Sequence, residues 1–354
     1  MNKRIDGAMR LLAGTGADAI LVWNLPNVRF LSGFTGTEGS LVLGTEKSYF
    51  LTDSRYGTQA GEQAPEFELQ IQGDKIKNIA AAIKKTGAKK VAFEEETMTV
   101  GRMSQLSGAL PDVEFLTLGS KLDDLRLRKD EGELDILREA ALISEKGFQK
   151  ALAAIKAGVT EKDVAMELEI GMLRNGAVKP SFDTIVASGF RGALPHGVAS
   201  MKEIESGDMI VIDFGCVFMG YCSDQTMTVC LGRAGSEESK VYDIVYEAQA
   251  RALDALKPGK KLKEVDAVAR EFIAEAGYGE YFGHGLGHGV GMDIHEEPRL
   301  NITSERIAEE GMVVTVEPGI YLPGRFGVRI EDTVVITSDG YQRITNLDKR
   351  LIQI

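Results

Sequence analysis

All 4 histidines of the chain lie in its second half, and three of them share one glycine-rich segment. His284, His288 and His295 lie within twelve residues, in the stretch FGHGLGHGVGMDIH. Glycine lets the backbone approach a ligand closely and disfavours a regular helix, so this segment is predicted to crowd a ligand and not to form a helix. A helical zinc-protease motif is excluded, because no glutamate follows His284 and glycines fill the gap before His288.

A first pair of acids lies in two strand-like stretches. Asp213 ends the run MIVID, and Asp224 precedes the run QTMTV, with a turn near Phe218 and Met219 between them. A hairpin centred between Phe218 and Met219 would place Asp213 directly opposite Asp224, with Cβ atoms about 4.5–5.5 Å apart. We therefore predict two neighbouring carboxylates on one apolar strand pair, where they would repel each other.

A second pair of acids repeats this arrangement. Glu317 and Glu331 are symmetric about Gly324, at the ends of two strand-like runs. Four buried carboxylates beside an imidazole are too costly unless cations neutralise them, and two divalent ions would balance four negative charges. A donor set rich in oxygen favours Mn²⁺ or Co²⁺ and also suits Fe²⁺ or Zn²⁺. Two such ions about 3.5–4 Å apart can activate water and polarise a carbonyl, which is the chemistry of hydrolysis.

The elements that position these residues fall into two groups along the chain. The first half alternates strand-like runs at 19–23, 40–43, 48–52 and 90–93 with helical stretches at 5–15, 75–86 and 100–109. From Asp123 the sequence becomes dense in charge and then repeats apolar residues at helical spacing. The sequence therefore predicts an α/β domain over 1–122 and a second domain over 123–354.

The second domain is predicted to begin with helices. Thr160 and Asp163 form a capping-box pattern ahead of one of them, and two further helices are expected at 236–256 and 262–276. A strand pair at 209–231 follows two helices, and a strand pair at 312–337 again follows two helices. This is a weak internal repeat within an α+β domain.

Composition limits the classes of partner. The 354 residues carry a net charge of -12, which argues against nucleic acid as a ligand. No apolar run reaches the ~18–20 residues that span a bilayer, and the polar start does not suggest a signal peptide, so a cytoplasmic protein is expected. Cys216, Cys222 and Cys230 contain no CxxC pair and lie in strand-like runs, so they are predicted to be core residues and not metal ligands.

The acids and the histidine together resemble a known family. Asp213, Asp224, His288, Glu317 and Glu331 are similar in order and spacing to the five metal ligands of the pita-bread metallopeptidases. The stretches LPNVRFLSGF and TDSRY resemble the creatinase-like N-terminal domain of the same family. The resemblance covers nearly the whole chain and implies a creatinase-like N-terminal α/β domain followed by a pita-bread catalytic domain. Within the family, the sequence is most similar to Xaa-Pro dipeptidases (prolidases) and to aminopeptidase P.

The resemblance also implies a role for each ligand. Asp224 and Glu331 would bridge two metal ions. Asp213 would complete one metal site, and His288 and Glu317 the other. Glu317 would in addition take the proton of the attacking water. All five residue types are present, whereas creatinase shares both domains and lacks the ligands.

Further site residues follow from the same resemblance. His196 would line the substrate site, and His295 would hydrogen-bond the scissile carbonyl and stabilise the tetrahedral intermediate. His284 would lie near the proline ring. Tyr321 and Arg329 would support the transition state and the metal carboxylates.

The sequence leaves open whether the substrate is a dipeptide or a longer peptide. Arg299 resembles an arginine that prolidases use near the carboxyl end of the substrate, which favours cleavage of dipeptides. Aminopeptidase P, which acts on longer Xaa-Pro peptides, is the alternative, and a non-catalytic pita-bread module that binds peptides is a weaker one. The family usually forms homodimers, often through the N-terminal domain, so a homodimer is expected.

Overall fold

The computed structural model describes residues 3–71 and 73–354 and divides into two compact units, Met1–Arg126 and Leu127–Ile354. The boundary expected after residue 122 precedes this division by one short helical turn, Asp123–Arg126. None of the helices in the described residues is both long and apolar enough to cross a membrane.

The first unit is a mixed six-stranded sheet with helices. Its strands are β1 (Ala19–Val22), β2 (Ser40–Gly44), β3 (Ser48–Thr52), β4 (Glu68–Ile71), β5 (Lys90–Phe93) and β6 (Glu114–Thr117), in the order β4-β3-β2-β1-β5-β6. Its helices are α1 (Lys3–Thr15), α2 (Leu25–Ser32), α3 (Gly57–Gln63), α4 (Lys75–Thr86) and α5 (Val100–Ala109). Strands β1, β2 and β3 pair antiparallel, whereas β4, β5 and β6 each join a neighbour in parallel.

The expected helices and central strands of this unit are confirmed, and four elements went unpredicted. Strands β4 and β6 lie at the two edges of the sheet, and in each the first and last residues are exposed and the apolar run is short. Helix α2 has a proline in its first turn, and Gly33 caps its C-terminal end in the left-handed conformation, with a φ of 77°. Helix α3 has a single buried residue and so lacks an apolar stripe.

The second unit contains two pairs of long helices. They are α6 (Glu131–Ala154), α7 (Glu161–Arg174), α8 (Ser236–Ala255) and α9 (Leu262–Glu275). Helix α6 packs on α7 and α8 packs on α9. The capping box predicted at Thr160 and Asp163 is present at the start of α7. Gly147 of α6 permits a close crossing, because a Cβ there would lie 2.8 Å from the carbonyl oxygen of Leu168 in α7.

The strands of the second unit form several small sheets that pack against the helix pairs. The first group is β7 (Lys179–Pro180), β8 (Ile185–Ser188), β9 (Met209–Phe214), β10 (Cys216–Phe218), β11 (Tyr221–Cys222) and β12 (Gln225–Cys230). The second group is β13 (Gly287–Gly289), β14 (Glu296–Leu300), β15 (Val313–Val316), β16 (Gly319–Leu322), β17 (Phe326–Arg329), β18 (Asp332–Ile336), β19 (Tyr341–Arg343) and β20 (Ile352–Gln353). The principal sheets have the orders β20-β12-β9-β8 and β14-β13-β15-β18-β19. In each group a long hairpin follows a helix pair, as the internal repeat predicted.

The register predicted for the first hairpin is wrong. Asp213 lies opposite Thr226 and not opposite Asp224, because the turn is centred between Met219 and Gly220. Both turn residues have positive φ, 45° for Met219 and 80° for Gly220, as a two-residue hairpin turn requires. Side chains alternate between faces with a period of two, so Asp213 and Asp224 still share a face, as diagonal neighbours.

The register predicted for the second hairpin is confirmed. Gly319 pairs with Arg329 in β16–β17, and Val316 pairs with Asp332 in β15–β18, which is symmetric about Gly324. Glu317 and Glu331 therefore occupy matching positions where one strand pair gives way to the next. Gly324 has a φ of 72° at the turn, which favours glycine.

The three cysteines are buried in strands, as expected. Cys216 lies in β10, Cys222 in β11 and Cys230 in β12. Burial raises the pKa of the Cys216 thiol to about 11 and that of Cys222 to about 12. They are therefore protonated core side chains at neutral pH.

Candidate active site

A cavity of about 580 Å³ in the second unit gathers almost all the residues singled out in the sequence. Those that line it are Asp213, Asp224, His288, Glu317, Glu331, His196, His284, His295, Arg299 and Arg329. Tyr321 does not line it and lies buried behind Arg329. The cavity is thus formed where the two hairpins and the glycine-rich segment meet.

Three buried side chains form the centre of the site. Asp224, His288 and Glu331 each offer one ligand atom, and these atoms lie within 4.8 Å of one another. Asp224 directly precedes β12, His288 is the middle residue of β13, and Glu331 lies between β17 and β18. Each therefore comes from a different strand segment, so the group exists only in the folded chain.

His288 presents a lone pair to carboxylates. Its Nδ1 lies 3.0 Å from the carbonyl oxygen of Gly289, which can only accept, so Nδ1 carries the proton. Burial lowers the pKa of His288 to about 3, so the ring is neutral. The unprotonated Nε2 then faces Oε1 of Glu317 at 3.3 Å and Oδ2 of Asp224 at 3.5 Å. Three electron-rich atoms facing one another are unfavourable without a cation between them.

Three carboxyl groups of the site have pKa values above their usual range. Burial, followed by repulsion from Glu331, raises the pKa of Asp224 well above its usual range. Burial, followed by repulsion from Glu317, does the same for Glu331. Burial raises the pKa of Glu317 to about 7. The acids are held as close neighbours in a site that disfavours their charge.

The fifth candidate ligand, Asp213, is held by an arginine. Nη2 of Arg329 donates to Oδ2 of Asp213 at 2.6 Å, and Nη1 donates to the carbonyl oxygen of Pro195 at 3.0 Å. Nε of Arg329 donates to the hydroxyl of Thr226 at 3.1 Å, and this hydroxyl donates to Oε2 of Glu331 at 2.7 Å. Arg329 thus orients Asp213 directly and Glu331 through Thr226. These contacts use Oδ2 of Asp213 and Oε2 of Glu331 and leave the second oxygen of each carboxylate available.

A directed hydrogen-bond chain continues from Arg329. Nη1 donates to the hydroxyl oxygen of Tyr321 at 2.9 Å. Nδ1 of His284 lies 2.8 Å from the carbonyl oxygen of Gly285 and must donate to it, so Nε2 accepts the hydroxyl proton of Tyr321 at 2.9 Å. Burial lowers the pKa of His284 to about 4 and raises that of Tyr321 to about 12. His284 is therefore a neutral ring with a fixed tautomer.

The donor set fits divalent metal ions. Oδ1 of Asp213 and Oε1 of Glu331 are buried and have no hydrogen-bond partner among the residues that the structure describes. Unsatisfied buried carboxylate oxygens are costly unless a cation binds them. Together with the lone pair of His288, they provide the oxygen-rich set with one imidazole that divalent ions prefer. The cysteines contribute no atom to this group.

The open side of the cavity carries the residues that are expected to contact the substrate. His196 and His295 are exposed, and the His295 ring lies edge-on to His288 with centroids 4.4 Å apart. Arg299 pairs with His288 in register across β14 and β13. This pairing puts a guanidinium on the strand next to the candidate metal group.

The structure adds lining residues that the sequence analysis missed. They are Phe182, Asp183, Ile185, Pro195, Val198, Gly285, Gly287 and Asn301. Ile185 lies opposite Asp213 across β8 and β9. These residues lie in loops and strands with no titratable pattern of their own, apart from Asp183, so only the fold identifies them.

Two hydroxyls that support the ligands were also missed. Thr226 lies two positions after Asp224, and Thr315 lies two positions before Glu317. Thr315 accepts the backbone N–H of His288 at 3.0 Å and donates to Oε1 of Glu317 at 3.1 Å. The alternation of side chains along a strand is the signal that could have identified them, since residues two apart share a face.

A buried acid on α9 holds the glycine-rich segment. Asp266 accepts the backbone N–H of Leu286 at 2.9 Å and pairs with Arg270. Arg270 donates to the carbonyl oxygens of Phe282 and His284. The segment between His284 and His288 is therefore fixed from the helix side.

These features together suit a metal-assisted hydrolysis. Carboxylates and an imidazole surround a space that favours cations, a guanidinium lies beside it, and two exposed histidines face the opening. Metal ions in such a site can polarise a carbonyl and activate water. The apolar side chains of Phe182, Ile185 and Val198 give the cavity a wall for an apolar group.

Two family models match the chain in succession. The model of the creatinase/prolidase N-terminal domain matches residues 4–128. The model of metallopeptidase family M24 matches residues 135–338. The second match contains every residue singled out above for the site.

Individual relatives match over the full length. The chain is 40% identical over 352 residues to an Xaa-Pro dipeptidase of Pyrococcus horikoshii, with 99% of each chain covered. A solved structure of an Xaa-Pro dipeptidase from Bacillus anthracis is 43% identical, with a TM-score of 0.97 and 99% of each chain covered. A solved X-Pro aminopeptidase from Thermotoga maritima is 40% identical, with a TM-score of 0.91 and 99% of each chain covered.

Proposed function

The chain belongs to metallopeptidase family M24, and we propose that it hydrolyses the Xaa-Pro bond of dipeptides with divalent metal ions in the cavity described above. Membership of the family confirms the resemblance drawn from the sequence. It also confirms the fold class, a creatinase-like N-terminal domain followed by a pita-bread catalytic domain. The protein is a metallopeptidase, and the substrate is the part that we propose.

One observation carries the proposal: a metal-compatible group with an arginine beside it. Arg299 lies opposite His288 in register, and no hydrogen bond or ion pair occupies its guanidinium within the described part of the chain. In an Xaa-Pro dipeptide the proline carboxylate lies one residue from the scissile bond. A guanidinium so close to the metal group can bind that carboxylate with two charge-assisted hydrogen bonds.

We assign the metal ligands as Asp213, Asp224, His288, Glu317 and Glu331. The support is the compact group of Asp224, His288 and Glu331, together with the unpartnered oxygens of Asp213 and Glu331. Two ions would neutralise the four carboxylates, with Mn²⁺ or Co²⁺ favoured and Fe²⁺ or Zn²⁺ also suited to the donor set. When bound, the ions would supply an activated water and polarise the scissile carbonyl.

The remaining residues would position the substrate and manage protons. Glu317 would take and return the proton of the attacking water, the role that the family resemblance implies for it. His295 and His196 face the opening, where N–H groups can donate to the scissile carbonyl. Arg329 and Tyr321 hold the carboxylate of Asp213 and the ring of His284 in place.

The decisive experiment is an assay on metal-stripped and metal-reconstituted protein. We expect cleavage of an Xaa-Pro dipeptide only after loading with Mn²⁺ or Co²⁺. Asp224→Asn should abolish it, while Asp243→Asn, at an exposed acid on α8, should leave it unchanged. Full activity in the stripped protein or in Asp224→Asn would refute the metal mechanism.

A second assay separates the two activities within the family. Aminopeptidase P is the alternative, and the similarity to the Thermotoga maritima X-Pro aminopeptidase favours testing it directly. An Xaa-Pro dipeptide should be cleaved faster than an Xaa-Pro-Yaa tripeptide if the proposal holds. The reverse order would assign the chain to aminopeptidase P, and no cleavage of either by metal-loaded protein would favour a peptide-binding module.

The roles of the histidines have a test of their own. His295→Ala should keep its metal and lose rate by about 10²–10³ in kcat, the usual loss for one oxyanion-type donor. A fall in metal content along with activity would instead make His295 a ligand. A homodimer and a cytoplasmic location stay predictions; light scattering tests the first and cell fractionation the second.

A further inference from the structure

One segment of the cavity wall is a loop whose two ends meet at a single carboxylate. The His196 loop comprises residues 189–199 and contributes Pro195, His196 and Val198 to the cavity. It leaves β8 after Ser188 and returns at Ser200. The side chain of Glu161, the first residue of α7, lies between these two ends and is fully buried.

Glu161 accepts hydrogen bonds from both ends of the loop. Oε1 accepts the backbone N–H of Ser188 at 2.7 Å and its hydroxyl at 2.9 Å. Oε2 accepts the backbone N–H of Ser200 at 3.1 Å and its hydroxyl at 2.6 Å. Four donors from two residues twelve positions apart thus converge on one carboxylate.

Arg191 extends this attachment into the loop. Its Nη1 pairs with Oε2 of Glu161, and its Nη2 donates to the carbonyl oxygen of Val198 at 3.0 Å. The guanidinium therefore spans the loop from its first turn to its last residues. Its side chain is 17% exposed, so the ion pair is largely shielded from water.

The far side of the loop rests on the catalytic hairpin. A Cβ on Gly327 of β17 would lie 2.0 Å from the carbonyl oxygen of Gly192, so the two backbones are in close contact. The carbonyl oxygen of Pro195 accepts from Arg329 at 3.0 Å. Glu161 anchors the loop at its base, and Arg329 meets it next to His196.

We infer that Glu161 is a positioning residue that holds His196 at the substrate site by closing the His196 loop. The inference rests on the proposed function for the role of His196, whereas the closure of the loop stands on the contacts alone. Five donors face this side chain, and a carboxylate offers only acceptors. Its place at the N-terminus of α7 also favours a negative charge. Glutamine would turn an NH₂ group toward some of these donors.

The first test is a double-mutant cycle in metal-loaded enzyme with an Xaa-Pro dipeptide. Glu161→Gln should lower kcat/KM by about tenfold or more with unchanged metal content, since misplacement of a positioned group is costly. Combined with His196→Ala, it should add less than about twofold, because the group that it positions is already missing. Multiplicative losses in the double variant would mean that Glu161 does not act through His196 and would overturn the inference.

The second test does not depend on activity. Limited digestion with trypsin, read by mass spectrometry, should cut Glu161→Gln after Arg191 about tenfold faster than the parent protein, because local opening governs cleavage. Glu145→Gln is the matched control. Glu145 is also a buried carboxylate that accepts a backbone N–H, from Asn346, but it lies outside the cavity. Equal cleavage of Glu161→Gln and the parent would overturn the inference even if the enzyme cleaved another substrate.

A milder variant covers the case in which Glu161→Gln fails to fold. Arg191→Met removes the guanidinium bridge and keeps the four serine contacts. It should lower kcat/KM about threefold to tenfold and should again be non-additive with His196→Ala. Additive losses here would contradict the inference in the same way.

Discussion

Arg329 and Asp213 lie on different strands and form an ion pair, 2.6 Å from Nη2 to Oδ2, in which the guanidinium is buried and the carboxylate is half-buried. The two residues are 116 positions apart in the chain. Arg329 is 3% exposed and also contacts Tyr321, Thr226 and the carbonyl oxygen of Pro195. This pair joins the first hairpin to the second and fixes one oxygen of a candidate metal ligand.

The first prediction is that Arg329 stabilises both the fold and the metal site. Arg329→Met should lower the free energy of unfolding by about 3 kcal/mol, because it leaves the half-buried carboxylate of Asp213 and three further acceptors without their donor. Metal content should fall as well. Arg329→Lys should retain only part of the stability. An ammonium group keeps the positive charge, but it cannot make all the hydrogen bonds that the planar guanidinium makes. Urea unfolding and metal analysis measure these effects.

The same hairpin offers a control for that prediction. Arg325 pairs with Glu237 at the surface, and the two side chains are 51% and 41% exposed. Arg325→Met should leave the free energy of unfolding nearly unchanged, because water screens an exposed ion pair. An equal loss in the two variants would contradict the role given to Arg329.

The second prediction concerns removal of the metal. Stripping should lower the thermal midpoint, because Asp224, Glu317 and Glu331 then repel one another without a cation. Adding Mn²⁺ at about 100 times its dissociation constant should restore about 2.7 kcal/mol. Calorimetry with and without Mn²⁺ measures this, and Asp224→Asn should lose most of the gain. A midpoint insensitive to metal would contradict the site.

The third prediction concerns the substrate carboxylate. Arg299→Ala should raise KM for an Xaa-Pro dipeptide about tenfold or more, the worth of a charged hydrogen bond at ~1.5–3 kcal/mol. Cleavage of an Xaa-Pro-Yaa tripeptide should change little. In that substrate the carboxyl group of proline forms an amide bond with Yaa, so it has no negative charge for Arg299 to bind. Steady-state kinetics on both substrates measure the difference.

Arg306 provides the comparison for Arg299. It is half-buried and pairs with Glu297 outside the cavity lining. Arg306→Ala should leave both KM values unchanged. Equal losses on the two substrates in Arg299→Ala, or no loss on either, would remove Arg299 from the substrate site.

The fourth prediction is a pH dependence of stability that originates at His284. Burial lowers its pKa from 6.5 to about 4. Between these values the unfolded chain binds a proton that the folded chain excludes, so stability is retained above pH ~6.5 and is lost as the pH falls toward ~4. His284→Gln should reduce this loss by a few kcal/mol at most, at about 1.4 kcal/mol per pKa unit.

Unfolding of metal-free protein at pH 7 and pH 5 measures the effect without a contribution from metal uptake. Phe282→Leu is the control, since its ring packs edge-on against His284 with centroids 5.1 Å apart and does not titrate. It should leave the pH dependence of unfolding as in the parent. An unchanged pH dependence in His284→Gln would contradict the prediction.

Several parts of the fold followed from local sequence. The bounds of α4 and α5 came from apolar periodicity, and the start of α7 came from the capping box at Thr160. The register of the second hairpin came from the turn at Gly324, because glycine readily adopts the positive φ found there. Each of these features depends on residues within a few positions of one another.

The first hairpin shows where such reasoning stops. Met219 adopts a φ of 45°, which is uncommon for a residue other than glycine, so the turn could not be placed from residue type. A shift of its centre by one position moved the partner of Asp213 from Asp224 to Thr226. The two acids kept a common face only because side chains alternate with a period of two.

The sequence by itself determined which residue types the site would contain and in what order they occur. It also determined the family, because Asp213, Asp224, His288, Glu317 and Glu331 form a specific pattern. Only the tertiary structure decided that Arg329 meets Asp213, that Tyr321 lies behind the site, and that Glu161 closes the His196 loop. Periodicity, caps and turns act over a few residues, whereas these contacts join distant segments and are set by how strands and helices pack.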